Sequence, residues 1–304
     1  NICLEDQKAG ARVEVDPEKK NPYDFALWIK APENHIMKWE SPWGLSYPGW
    51  HLECSTMGKR FLGEVFDIHT GGVDHIPIHH ENEIAQAKGA TGKIPAKIWM
   101  HCEYLLVDNG KMSKSLGNTY TISQLQEKGI APLAFRLFCF TAHYRNKLNF
   151  TFEGAYGAQK ALERLYEGYI KQQNGTDEID DSKIAEYNDK FNNFVNDDMN
   201  IPGAMGIVWE VIKSPQKSHK LAELLLKFDE VLGLDMKNSK KYLEEFQKSK
   251  TEDLPEEIKQ LVEERKQARE NKDWAKSDEL RDLITSKGYS IKDTKDGIIV
   301  KKEI

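Results

Sequence analysis

Three groups of side chains stand out as candidates for binding or catalysis. The first is Cys54 with His79 and Glu83. His79 and Glu83 are four apart, so on a helix they share a face. A thiolate, an imidazole and a carboxylate are all zinc ligands, but three ligands this scattered equally suit a buried thiol and an ordinary helix start. The second is "DIHTGGVD", residues 67–74. Glycines at the end of a strand, followed by Asp74, suit a nucleotide's base and ribose hydroxyls, and equally suit a plain turn. The third is "GKMSKSLGN", residues 110–118. Lys111 and Lys114, interleaved with Ser113 and Ser115, offer two cationic points to a phosphate chain. A solvated surface loop would have the same composition.

These stretches need elements to hold them. "HLECSTMGKRFLG" predicts a helix ended by Gly63, and "EVFDIHTGG" a strand running into a Gly-Gly turn. "HHENEIAQAKGATG" predicts a helix stopped by glycines, and "AKIWMHCEYLLVDNG" a strand pair. Alternation of strand and helix over 40–120 favours a parallel or mixed sheet covered by helices. Before it, 1–40 reads as irregular with one short helical stretch over 24–30, and "SPWGLSYPGW" (41–50) as turn chemistry. From 121 onward the pattern turns helical, with long 3.6-residue periodicity over 153–232. Residues 237–254 are lysine-rich and poor in apolar side chains, which predicts a linker. Residues 255–284 are again amphipathic, and the chain closes on two short strands around a Lys-Asp-Gly turn.

The chain has 304 residues, 39% hydrophobic and 30% charged, with a net charge of −6. That length allows two or three domains. The acidic balance argues against an indiscriminate nucleic-acid binder, yet leaves room for a specific RNA reached through a local basic face. No apolar run is long enough to span a bilayer, so no membrane partner is expected. Cys3, Cys54, Cys102 and Cys139 lack disulfide-type spacing, and residues 1–20 are polar, which together point to a reducing, cytoplasmic setting. No Met opens the chain and no nucleotide fingerprint precedes residue 40, so it is expected to begin inside a longer protein.

Taken together the motifs become specific. "KMSKS" (111–115) resembles the signature loop of class I aminoacyl-tRNA synthetases. "PGWHLECSTM" (48–57), "DIHTGGVD" and "HHENEIAQ" (79–86) resemble the cysteinyl-tRNA synthetase family in order and spacing. So do 21–30, "SPWG" (41–44), "HYR" (143–145), "NDDMNIPGAM" (196–205) and "ARENKDWAKSDELRD" (268–282). The resemblance spans essentially the whole chain, departing at "KDGIIVKKEI", which lacks a Trp common near this end of the family.

The resemblance implies an α/β fold. A partial Rossmann-type class I catalytic domain would be followed by an α-helical bundle and a small C-terminal α/β anticodon-binding region. The boundaries would be a catalytic-domain remnant at 1–40, the second catalytic half with zinc ligands and KMSKS loop at 41–150, the helical tRNA-binding domain at 151–236, the linker at 237–254 and the anticodon region at 255–304. One Zn2+ would sit on Cys54, His79 and Glu83, with a fourth ligand, and the family's HIGH signature, outside this chain; Cys3 lies in the wrong context to serve. Trp50 and His69 would line the amino-acid pocket. Gly71, Gly72 and Asp74, with Lys114, would bind ATP, and Mg2+ would arrive with it. Lys111 and Lys114 would be the catalytic cations. Arg269, Trp274 and Asp278 would meet tRNA(Cys), although Trp274 suits a core position equally well. The implied activity is cysteine–tRNA ligation from ATP and L-cysteine by a monomer. A ligase joining cysteine to a small amine is a second reading, against which "NDDMNIPGAM" and "KDWAKSDELRD" speak. A non-catalytic RNA-binding fragment is a third.

Overall fold

A computed structural model of the chain describes residues 19–21, 23–252, 254–294 and 297–302. Cys3 and the Lys295-Asp296 turn lie outside them. The chain divides into two compact units, residues 1–106 with 144–149, and residues 107–143 with 150–304. This partition differs from the expected boundary at 150/151, because 107–143 groups with the helices.

In the first unit, β1 (Trp28–Lys30) pairs antiparallel with β2 (Ser46–Pro48). The short helix expected over 24–30 does not form; 24–27 are irregular and 28–30 are the strand. "LWIK" carries an aromatic and a β-branched residue, and Trp28, Ile29 and Lys30 find ladder partners in Pro48, Tyr47 and Ser46. Helix α1 (Trp50–Leu62) follows and ends at Gly63, as expected. Then come β3 (Phe66–Gly72), a 3-10 turn (Val73–His75), a π-helical turn (Ile76–His80) and α2 (Glu81–Thr91). Strand β4 (Ala96–Cys102) returns parallel to β3, from Phe66↔Ala96 to Gly72↔Cys102. The strand expected to pair with β5 (Leu105–Val107) thus pairs with β3 instead. The result is a βαβ unit with the intervening helix as crossover.

In the second unit, Asp108 and Asn109 both take positive φ (48° and 62°) and turn the chain into β6 (Gly110–Lys111). A capping box formed by Thr121 and Gln124 starts α3 (Ile122–Glu127), and Pro132 opens α4 (Pro132–Cys139). After β7 (Leu148–Phe150), whose first two residues belong to the first unit, come α5 (Phe152–Gln173), α6 (Asp181–Asn196), α7 (Ile201–Lys213) and α8 (His219–Leu232). Leu162, Leu165, Leu221, Leu225 and Phe228 are essentially inaccessible, and Phe191 stacks on Phe228 at 4.0 Å. The half-buried Asp229 carboxylate accepts from the Leu234 and Met236 amides, both at 2.7 Å.

The expected linker at 237–254 carries α9 (Ser239–Glu252). Its lysines and glutamates are good helix formers, and Tyr242 anchors it by donating to Asp235 (2.8 Å) and stacking on Tyr166. Helices α10 (Glu256–Glu270) and α11 (Trp274–Ser286) precede the antiparallel pair β8 (Tyr289–Thr294) and β9 (Gly297–Lys302), the two closing strands expected. Leu254, Ile258, Ile284 and Tyr289 form their core. Among the described residues, no helix is long and apolar enough to cross a membrane.

Candidate functional site: a thiol, imidazoles and a buried carboxylate

Cys54 on α1, His79 in the π-turn and Glu83 on α2 converge, with ligand atoms all within 4.8 Å of one another. The local sequence explains how. His79 and His80 precede Glu83 by four and three residues, so both imidazoles fall on its face. The π-turn, opened by Pro77, is the kind of irregularity found at functional positions, and it buries both rings. Glu83 is 3% exposed, and its Oε2 lies 3.6 Å from His79 Nε2 and 3.8 Å from His80 Nε2.

The outer contacts orient these rings. His79 Nδ1 lies 2.8 Å from His51 Nδ1, and His80 Nδ1 lies 2.8 Å from His101 Nε2. With the hydrogen on Nδ1 in each, both Nε2 lone pairs face Glu83, which is how ligating histidines are usually fixed. Ser55 Oγ donates to Gln86 Oε1 at 2.6 Å, tying α1 to α2 one residue beyond Cys54. Gln86 Nε2 is buried without a hydrogen-bond partner among the described residues.

The electrostatics suit ligands held ready. Burial, then the neighbouring His51, lowers His79 to about 4. Burial, then His69, lowers His80 to about 3. Both are neutral at physiological pH and so able to bind metal. Burial raises Glu83, opposed by the hydrogen bond from His69, and burial followed by Glu83 raises the Cys54 thiol. A sulfur, a nitrogen and an oxygen donor within one ion's reach, two of them on buried residues, fit zinc.

The remaining expected residues of this unit gather at the same place. Trp50 is exposed, with its ring 4.4 Å from that of His79. His69 Nε2–H donates to Glu83 Oε2 at 2.8 Å. Gly71 packs so closely that a Cβ there would lie 2.7 Å from the His80 ring and 2.8 Å from His75, so only glycine fits. A Cβ on Gly72 would collide with the Asp74 carboxylate, which turns back over it. The glycines end β3 rather than forming a turn of their own. Sequence reading missed His51, His75, His80 and His101. The available signal was density: with His69 and His79, these are six of the chain's nine histidines, all between residues 51 and 101.

Lys111 and Lys114 lie in the other unit. Both are exposed, and neither makes an ion pair among the described residues. Asn118 braces their loop, donating from Nδ2 to Lys111 O (2.9 Å) and accepting at Oδ1 from Ser113 N (2.8 Å). Ser113 caps the short turn Lys114–Leu116, which ends at Gly117. In the same unit the Arg269 guanidinium lies over the Trp274 ring at 5.5 Å. Trp274 is 56% exposed, so it is not a core residue. Asp278 is engaged by Arg281 at 3.0 Å.

Residues 1–160 match the family model of the tRNA synthetases class I (C) catalytic domain, and residues 251–300 that of the cysteinyl-tRNA ligase anticodon binding domain. The chain belongs to the class I (C) tRNA synthetase family, the one expected from "KMSKS" and "HHENEIAQ". It is 41% identical over 293 residues to the cysteine–tRNA ligase 1 of Burkholderia lata, covering 95% of this chain and 59% of that protein. It is 40% identical over 309 residues to the cysteine–tRNA ligase of Caldicellulosiruptor saccharolyticus, covering 98% and 66%. The chain therefore spans less than two thirds of the length of these relatives. A solved ternary complex of LeuRS, tRNA and LeuAMS from Agrobacterium radiobacter aligns with a TM-score of 0.48 and 18% identity, over 69% of this chain and 34% of that one, too slight a likeness to bear on the site.

Proposed function

We propose that these residues belong to a cysteine–tRNA ligase that uses ATP to form cysteinyl-adenylate and passes the cysteinyl group to tRNA(Cys). The single observation that carries this reading is the convergence of Cys54, His79 and Glu83 in a buried, imidazole-rich pocket. Its support from relatedness is the pair of family matches and the names of the relatives.

Cys54, His79 and Glu83 would hold Zn2+, which when bound offers a soft coordination position that a substrate thiol fills far better than a serine hydroxyl. That preference supplies selectivity which an apolar pocket cannot obtain from shape alone. Trp50 and His69 border the pocket and would limit the side chain admitted. Asp74 would accept ribose hydroxyls, with Gly71 and Gly72 keeping the backbone close to the nucleotide.

Activation is an attack by the cysteine carboxylate on the α-phosphorus of ATP. The new bond is carboxyl oxygen to phosphorus, and the bond to pyrophosphate breaks. The tRNA's terminal ribose hydroxyl then takes the acyl group and AMP leaves. Positioning and charge stabilisation account for most of such catalysis. Lys111 and Lys114 would meet the charge developing on the departing pyrophosphate, with Mg2+ brought in by ATP. Asn118 would hold the loop's two cationic residues in register without immobilising their side chains. The helices from 152 onward would contact tRNA, and the exposed Trp274 with Arg269 and Asp278 would read splayed anticodon bases. A monomer working in the cytoplasm completes the reading.

The test is cysteine-dependent exchange of pyrophosphate into ATP, followed by charging of tRNA(Cys), by the protein in its full natural length. The expected outcome is activity with cysteine and none with serine. Cys54→Ala should raise KM for cysteine far more than for ATP. Lys114→Ala should slow exchange by roughly 100-fold, as loss of one charge-stabilising group does, with tRNA affinity spared. Failure of the full-length protein to charge its tRNA overturns the reading.

A further inference from the structure

Glu83 is ringed on two sides, and the zinc ligands account for only one of them. On the other side, His69, His80 and Glu83 present ligand atoms that also lie within 4.8 Å of one another. His69 Nε2 lies 2.8 Å from Glu83 Oε2 and His80 Nε2 lies 3.8 Å from the same oxygen. The geometry points to a second seat for a divalent cation, built of two imidazoles and one carboxylate, that shares Glu83 with the thiolate-bearing seat. This inference holds whether or not the chain ligates cysteine.

Several features single these residues out from an incidental cluster. His80 and Glu83 are 3% exposed, so both have already lost their hydration before any ion arrives. His80 has an outer partner of its own, since its Nδ1 lies 2.8 Å from His101 Nε2. That contact fixes the ring and leaves Nε2 for a ligand, the arrangement that raises a metal-bound imidazole's basicity. His69 stands on β3 and is backed edge-on by Phe66 and Trp99, at 5.5 and 4.8 Å between ring centres. It needs only to carry its ring hydrogen on Nδ1 for Nε2 to turn from donor to ligand. Three histidine nitrogens, from His69, His79 and His80, lie within 3.8 Å of the one Glu83 oxygen, so donor atoms already converge there from both sides.

The two seats differ in chemistry. Cys54 brings a soft thiolate to one, whereas the other has nitrogen and oxygen donors only and so also accepts harder divalent ions. The three histidine nitrogens all approach the same Glu83 oxygen, so the two seats compete for it. Both are reached from one cavity of about 500 Å³, which Cys54, His69 and Glu83 line together, with Lys59 and Arg60 also on its wall. An ion on the imidazole seat is therefore one carboxylate away from the thiolate seat.

Cobalt(II) chloride is the probe, because a cobalt–thiolate bond absorbs strongly and a cobalt–imidazole bond does not. In the 304-residue chain, one cobalt should bind with the sulfur-to-metal band. In Cys54→Ser, one cobalt should still bind, more weakly and without that band. Adding His80→Gln or His69→Gln to Cys54→Ser should take bound cobalt from one per chain to none. His80→Gln alone should keep the band. The inference is overturned if Cys54→Ser binds no cobalt, or if the double variants bind as well as Cys54→Ser. Should Cys54→Ser fail to fold by circular dichroism, the unmutated chain with its thiols capped by iodoacetamide replaces it, with the same two outcomes.

Discussion

The two compact units bury opposite kinds of side chain. Among the described residues of the first, Ala96 alone of the apolar side chains is buried, while Ser46, His79, His80 and Glu83 all are. Helix α1, which carries Cys54, buries none of its residues, and the register partners Ile68 and Ile98 face outward. The second unit buries leucines, phenylalanines and tyrosines in layers, from Leu162 on α5 to Phe228 on α8. Apolar burial contributes about 25 cal/mol per Å2, whereas a buried histidine or carboxylate costs free energy until something pairs with it. The second unit therefore holds itself together, and the first spends stability on chemistry.

Four experiments test that contrast. Phe228→Ala should cost about 3–5 kcal/mol, as for other large core truncations, measured by urea unfolding of the second unit's helices. Its effect on metal affinity should be nil. A coupled loss would mean that the units do not keep their roles apart.

Zinc should act the other way round. At a free concentration a hundred times its Kd, it should stabilise the unit that binds it by about 2.7 kcal/mol. Hydrogen exchange should show protection rising in α1 and α2 and unchanged in α5 and α8. Equal protection in both would erase the distinction.

The pH response follows from His79 and His80. Their folded values, about 4 and about 3, lie below the ordinary 6.5 of an unfolded histidine. Between those limits the unfolded chain binds more protons than the folded one, so stability rises with pH there. The metal-free first unit should therefore weaken progressively as pH falls from above 6.5 towards 3. Circular dichroism melts at pH 7 and pH 5 test this, and a higher melting temperature at pH 5 would contradict buried neutral rings.

Trp274→Ala should change the stability of the second unit by no more than about 0.5 kcal/mol, as exposed positions do. A larger loss would make this exposed aromatic part of the packing after all.

The same contrast explains what could be read before folding. Helix-forming residues ended by glycines located α1 and α2, and a 3.6-residue apolar repeat located the long helices of the second unit. Such reading failed at 28–30, where the ladder to Ser46–Pro48 decides the conformation from sixteen or more residues away. It failed again at 239–252, where a charged composition masked good helix formers held by Tyr242. Donor type and the four-residue spacing grouped Cys54 with His79 and Glu83 but left the bland alternatives open, and the zinc assignment came from resemblance. His80 and His101 were invisible as a pair because they meet only after β4 returns alongside β3. The π-turn that buries His79 and His80 has no one-residue signature at all.

Trp50 leans on His79 with its rings 4.4 Å apart while most of its indole stays in water. An imidazole quenches indole light emission strongly when it carries a proton and weakly when it does not. The chain has seven tryptophans, and among the described ring contacts it is Trp50 that meets His79. Comparing the fluorescence of the chain with that of Trp50→Phe therefore gives, without any added dye, an optical signal from the imidazoles around this indole, His79 together with His51 and His75.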